Sequence, residues 1–401
     1  MKSIIRTGLV ITAITIASCT KDEVINVNNP ASNSIGFEIS TGKTRAITAD
    51  IDLLKSDANG FGIFATNGSD SELFIDNGKY KYNSANYLWS WEGKSRNWPE
   101  SEDEDDNIED YYPINFYAYY PYSETELGED LLHSYEIAET PELQLDLLAA
   151  KNVDILSRPE TNLVPLSFKH ILSKIDFRVI SNEDFTVVIQ SIAVKNVGKD
   201  GTFDYSEIMW AAAPEEFNTS FSYLKAADKK DNIFAGNTTA VNVEGTSGAL
   251  MLMPQDLSGR KWDKTIANLN NLSYIEVVYR IFRISDGSDV VGYTNAEDHP
   301  MYEELGSTVT GPLFVKVGYP LPTNWLMNKA YKYDIYLDGS SSGGIVIDED
   351  FVDEDGEDSD LPVVDPETEE PIEPEDPIFN FKQIGFDVVV IDWEETDPNN
   401  L

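Results

Sequence analysis

Short runs in which apolar and polar residues alternate recur along this chain, and they restrict it to one class of fold. Ile35, Phe37 and Ile39 alternate with Gly36, Glu38 and Ser40. The same period marks Tyr331–Leu337 (YKYDIYL), and compact apolar or aromatic runs mark Phe61–Phe64, Tyr87–Trp91, Ile114–Tyr120, Val187–Val197, Ala249–Met253 and Ser273–Arg283. A strand with one buried face needs a period of two, because successive side chains point to opposite faces. No segment sustains a helical amphipathic period over four turns. Many short strands separated by turn signals predict an all-β sandwich architecture.

Local signals refine this picture. Asp76-Asn77-Gly78-Lys79 predicts a hairpin turn between Leu73–Ile75 and Tyr80–Tyr82, since Asn-Gly tolerates the positive φ of a tight turn. Leu166–Val179 (LSFKHILSKIDFRV) reads as one stretch with Ile171, Ile175, Phe177 and Val179 on one face. Leu143–Ala150 fits either a short helical turn or a strand. Asp348–Pro377 is crowded with acids and prolines and predicts an extended, solvated linker. Hydrophobicity then returns. Phe386, Val388 and Val390 alternate on one face, with Val389, Ile391 and Trp393 on the other. A terminal segment apolar on both faces must be buried somewhere.

Charge and residue inventory exclude several functions. Lys and Arg number 29 against 71 Asp and Glu, a formal charge of -42. Such a surface repels phosphate backbones and anionic membrane, so nucleic acid is not an expected partner. The single cysteine, Cys19, supplies no disulfide. His133, His170 and His299 are far apart in sequence, and His170 reads as a satisfied strand residue. Gly42-Lys43-Thr44 does not complete a phosphate loop: Gly36 lies one residue too far upstream, and no helix pattern follows. Neither a nucleophile elbow nor an H-E-x-x-H motif is present. Glu100–Asp110 lacks the spacing of a calcium loop and reads as a solvated acidic face. We therefore expect no catalytic residue, no metal site and no cofactor.

The two ends of residues 1–46 carry processing signals. Lys2 and Arg6 precede an apolar run, Leu9–Ala17, too short for a permanent membrane span. Ile16-Ala17-Ser18-Cys19 resembles a bacterial lipoprotein signal, with Cys19 as the lipidated residue that would hold the chain to the outer membrane. Thr20-Lys21-Asp22-Glu23 is similar to the surface-export signal of Bacteroidetes lipoproteins, and Val24–Asn33 reads as a tether. After the Ile35–Ser40 strand, Gly42-Lys43-Thr44-Arg45-Ala46 is polar and basic, an exposed site for a protease that cuts between Arg45 and Ala46.

Several motifs in order resemble the fimbrillin-like family of Bacteroidales: the leader with Cys19, Thr44-Arg45-Ala46, Phe116–Pro121, Leu166–Ile175, Leu252-Met253-Pro254-Gln255, Trp325 with Lys329–Tyr333, and the closing Asp392-Trp393-Glu394. The resemblance covers nearly the whole chain and implies a type V pilin with two tandem transthyretin-like Greek-key β-sandwich domains. It implies this order: signal peptide 1–19, tether and removable first strand 20–45, sandwiches at 46–178 and 179–345, acidic linker 346–377, and a last strand at 378–401. An arginine-specific protease would cut after Arg45, and the strand bearing Ile35, Phe37 and Ile39 would leave. Phe386, Val388 and Val390 of another pilin subunit, identical or different, would fill the groove, giving a fimbria that meets a host or bacterial surface receptor. The acidic, proline-rich insert before the last strand looks longer than a stalk pilin needs.

A second reading is a surface lipoprotein that never polymerises and binds glycan. Trp89, Trp91, Trp98, Tyr111 and Tyr112 would then stack on sugar rings, in place of packing as core and cross-strand aromatics.

Overall fold

The computed structural model describes residues 33–41, 47–56, 60–67, 72–85, 87–99, 113–124, 130–225, 232–260, 271–321, 324–337, 345–346, 350–364, 370–371 and 385–392. The architecture is all-β, as the periodicity predicts. The first part of the chain contributes β1 (Gly36–Thr41), helix α1 (Ile47–Ser56), β2 (Phe61–Asn67), β3 (Glu72–Asn83), β4 (Leu88–Trp91), β5 (Ile114–Tyr120), β6 (Leu132–Glu136), β7 (Leu148–Ile155) and β8 (Leu163–His170). Seven of these strands form one sheet in the order β1-β8-β7-β5-β2-β3-β4. β1 is an edge strand and runs parallel to β8, from Gly36 opposite Leu163 to Thr41 opposite Phe168.

Two sequence expectations fail in this sheet. Asn77-Gly78 does not turn the chain. β3 runs straight through it, and two residue steps on β2 (Ile63 to Ala65) face three on β3 (Gly78 to Ile75). The positive φ of Asn77, 43°, serves a bulge instead of a hairpin. Gly78 is needed for space as well, because a Cβ there would lie 2.6 Å from the Trp91 ring. A helix also follows the Gly42–Ala46 segment, contrary to expectation. α1 is ten residues long, too short to show a sustained period, and its Ile51 and Leu54 are buried in the same core as β1.

The Leu166–Val179 stretch is two strands in different sheets, because the apolar pair Ile171-Leu172 hides the break. The later strands are β9 (Ser173–Ser181), β10 (Phe185–Val197), β11 (Asp200–Asp204), β12 (Met209–Ala212), β13 (Thr219–Leu224), β14 (Ile233–Ala235), β15 (Val241–Asn242), β16 (Leu250–Leu252), β17 (Tyr274–Arg283), β18 (Asp289–Val291) and β19 (Val315–Pro320). β20 (Lys329–Leu337), β21 (Ile345–Val346), β22 (Asp350–Val352), β23 (Asp358–Pro362) and β24 (Gly385–Asp392) complete the chain. One sheet runs β13-β10-β17-β19-β21, and another runs β15-β9-β20-β24. Their apolar faces share one cluster, which includes Phe177 and Tyr333 from one sheet and Val277 and Tyr319 from the other. Arg178 lies in the middle of β9, and the change from the first sheet to the second set falls at residues 171–172. β6 pairs with β11 of the later set, so the two parts of the chain are interleaved. Within Leu143–Ala150 the strand alternative holds, since β7 begins at Leu148, whereas the single 3-10 turn, Pro141–Leu143, ends at the segment's first residue.

Part of the expected linker is folded. β22 and β23 form a hairpin that buries Phe351, Leu361 and Val363 in the second core. The Phe351 ring packs edge-on against Tyr293 at 5.5 Å and His299 at 5.4 Å. The acids between these apolar residues face outward, and Lys316 holds Asp358 at 2.6 Å. Acidic composition masked an ordinary alternating hairpin.

Candidate functional site

The candidate site is β1 and the groove that it fills. Period-two alternation places Ile35, Phe37 and Ile39 inward, at 0%, 0% and 5% exposure. Phe37 sits in an aromatic box. Its ring centroid lies 5.2 Å from Tyr80, 5.6 Å from Trp91 and 5.7 Å from Phe116, all near edge-on. Edge-to-face packing sets the positive rim of one ring against the negative face of the next.

Tyr80 and Trp91 belong to β3 and β4, at the opposite end of the sheet order from β1. The sheet therefore curls until its two edges meet, and β1 lies in the joint. On one side it pairs with β8. On the other, the Ile35 amide donates to the Arg96 carbonyl at 2.8 Å, and the Trp91 indole Nε1 donates to the Ile35 carbonyl at 2.8 Å. Ser34 bridges to Asn97, and the Trp98 amide donates to the Asn33 carbonyl at 2.9 Å. The Gly36 amide donates to the Asn162 carbonyl at 2.9 Å, and Arg158 reaches Asn33 Oδ1 at 2.8 Å. These contacts from residues 91–98 and 158–162 carry no signal in sequence, because closure of a sheet edge on itself leaves no local pattern.

Burial pushes the Tyr80 phenol up to about 12, opposed by a hydrogen bond from the Phe37 backbone. Tyr80 thus lies beneath β1 and is in contact with its main chain. If β1 is taken away, β8 is left with unpaired backbone groups beside an apolar, aromatic groove, the arrangement that accepts an added strand.

Cys19, Arg45 and Ala46 lie outside the described residues, as do Tyr111, Tyr112 and the acidic run Glu100–Asp110. Arg45 and Ala46 fall between the end of β1 at Thr41 and the start of α1 at Ile47. The other half of the expected exchange, β24, pairs antiparallel with β20 of its own chain, with Phe386 opposite Ile335, Val388 opposite Tyr333 and Val390 opposite Tyr331. Val388 packs against the second core, while Val390 is 44% exposed.

Of the aromatics considered for glycan stacking, two are core residues. Trp89 and Trp98 are 3% and 2% exposed, and the Trp98 ring packs on Phe116. Trp91 is half-buried and bonded to β1. His170 closes β8, is buried, and is paired with Asp146 at 2.8 Å, consistent with a structural residue.

This geometry defines an all-β protein whose first sheet is closed by an edge strand from its own N-terminal side. The chain belongs to the fimbrillin-like family, whose model matches residues 44–348. A fimbrial protein from Bacteroides vulgatus has a similar fold, with a TM-score of 0.52 at 16% identity over 76% of this chain and 95% of that chain. A candidate cell adhesion protein from Parabacteroides distasonis aligns at a TM-score of 0.43 and 12% identity, covering 90% of this chain and 96% of that one. No curated protein matches the chain in sequence.

Proposed function

We propose that this chain is a structural or accessory subunit of a surface fimbria that supports adhesion. It is exported as a lipoprotein on Cys19, cut after Arg45 and assembled by strand exchange. One observation carries the reading: β1 plugs the joint of the curled sheet, and the route from β1 into the rest of the chain passes through residues 42–46, which contain Arg45. A cut there leaves β1 held by non-covalent contacts alone. The C-terminal strand of a neighbour, bearing Phe386, Val388 and Val390, then restores the lost ladder and apolar contacts. Each apolar side chain buried in this way contributes about 1.5–3 kcal/mol. Because every subunit gives one strand and receives another, the contact is head-to-tail and generates an open filament.

Family membership supports a structural and not an enzymatic role, located at the cell surface. The test is treatment of the purified precursor with an arginine-specific protease. A new N-terminus at Ala46 and SDS-resistant ladders are expected. A chain that stays monomeric after that cut overturns the reading.

A further inference from the structure

Beside the Ile35 end of β1 lies a cleft of about 300 Å³ whose lining includes Lys79, Lys94 and Arg96, the carboxylates Glu92 and Glu124, and the Trp91 and Tyr122 rings. Lys79 and Lys81 both hold Glu92, at 3.0 and 3.1 Å, and this pairing keeps its carboxyl below the usual range. Lys79 also lies 4.8 Å over the Tyr122 ring. Three basic side chains, Lys79, Lys94 and Arg96, thus line the cleft with two carboxylates, and Lys81 adds a fourth positive charge through its pairing with Glu92. In a chain of formal charge -42, a locally positive cleft is an exception that the average composition does not predict. Lys94 and Arg96 are exposed.

We infer that this cleft receives the acidic segment 365–377 of a second copy of the chain, the segment that precedes the last strand. The inference rests on the strand-exchange reading above. The segment, DPETEEPIEPEDP, carries seven acidic residues and no basic one. Two chains of charge -42 repel each other, and delivery of the last strand brings those seven acids alongside the acceptor. A cationic cleft at the point of entry offsets the repulsion and steers the encounter. Position supports the match. Trp91 and Arg96 line the cleft and also hold Ile35 between them. The residues between the acidic segment and β24, 378–384, are seven in number and span at most about 25 Å when extended. A donor strand whose acidic segment lies in this cleft enters the groove from the Ile35 end and runs in β1's own direction, parallel to β8.

The test uses a labelled peptide of residues 365–377 and the full, uncleaved chain. Saturable binding at low ionic strength is expected, weakening as salt is raised. The exposed variant Lys94→Glu should bind several-fold more weakly with an unchanged thermal midpoint. No binding to the parent chain, or equal binding by Lys94→Glu, overturns the inference. A second arm follows ladder formation after Arg45 cleavage at low salt. Slower ladders from Lys94→Glu support the inference, and ladders at the parent rate overturn it while leaving strand exchange intact. Peptide binding with no ladders from the cleaved parent chain keeps the cleft and overturns the strand-exchange reading.

Discussion

The Trp91 indole donates a hydrogen bond to the Ile35 carbonyl at 2.8 Å, joining the far edge of the first sheet to β1. Trp91→Phe keeps an aromatic ring against Phe37 and removes that bond. The loss of one hydrogen bond to a sheltered carbonyl costs about 1 kcal/mol. The uncut chain should unfold at a slightly lower temperature. After the Arg45 cut, release of the N-terminal fragment ending at Arg45 should be several-fold faster, measured by chromatography of the digest. Release at the parent rate means that this bond does not hold β1.

Phe37 fills the aromatic box formed by Tyr80, Trp91 and Phe116. Phe37→Ala leaves a cavity in a site with no exposure, and such truncations cost about 3–5 kcal/mol. The destabilisation should appear in denaturant unfolding of the uncut chain. It should vanish after cleavage and loss of β1, because the remaining polypeptide is then identical to the parent. A cost that persists in the cleaved protein means that the strand has not left.

The strand character of β1 is legible because its period-two pattern is local. So are the bounds of β17 to within one residue and the end of β20 at Leu337, whereas β20 begins two residues before the alternating run, at Lys329. Three elements depart from the local signal: in two the signal is put to a different tertiary use, and in the third composition hides it. Asn77-Gly78 offers a positive φ, and the sheet spends it on a bulge because β2 pairs with β3 on both sides of it. Ile171-Leu172 is apolar on both sides of a sheet change, so the break leaves no polar mark. Phe351 and Leu361 hide a hairpin inside an acidic segment. For the candidate site, Ile35, Phe37 and Ile39 were legible, whereas Trp91, Arg96 and Asn162 were not. Those residues meet β1 only because the sheet curls, and closure depends on contacts across 56 or more residues of chain.

Tyr80 reports the presence of β1 through its phenol. The folded state holds that proton up to about 12, above the ordinary value of 10.0. A neutral acid with a raised folded pKa contributes stability that is whole below pH 10 and is lost as pH rises through 12. Tyr80→Phe should therefore flatten the alkaline decline in stability of the uncut chain. The tyrosinate absorbance of the parent minus that of Tyr80→Phe isolates this one phenol. In the cleaved chain its titration should move down toward 10 as water reaches the groove. Identical difference curves before and after loss of β1 would mean that the strand does not shield it.

Val388 and Val390 share a face of β24 but not an environment. Val388 packs against the second core, whereas Val390 is 44% exposed opposite Tyr331. Val390→Lys should therefore leave the uncut monomer within about 0.5 kcal/mol of the parent, as exposed substitutions generally do. If β24 fills a neighbour's groove as proposed, the same position would face an apolar, aromatic lining, where a lysine would bury its charge without a partner. Arg45 cleavage should proceed normally and SDS-resistant ladders should be lost. Val388→Lys serves as the contrast, since it should lower the thermal midpoint of the uncut chain as well. Ladders of parental length from Val390→Lys would remove this side chain from the donor face, while shortened ladders with an unchanged monomer midpoint would assign it there.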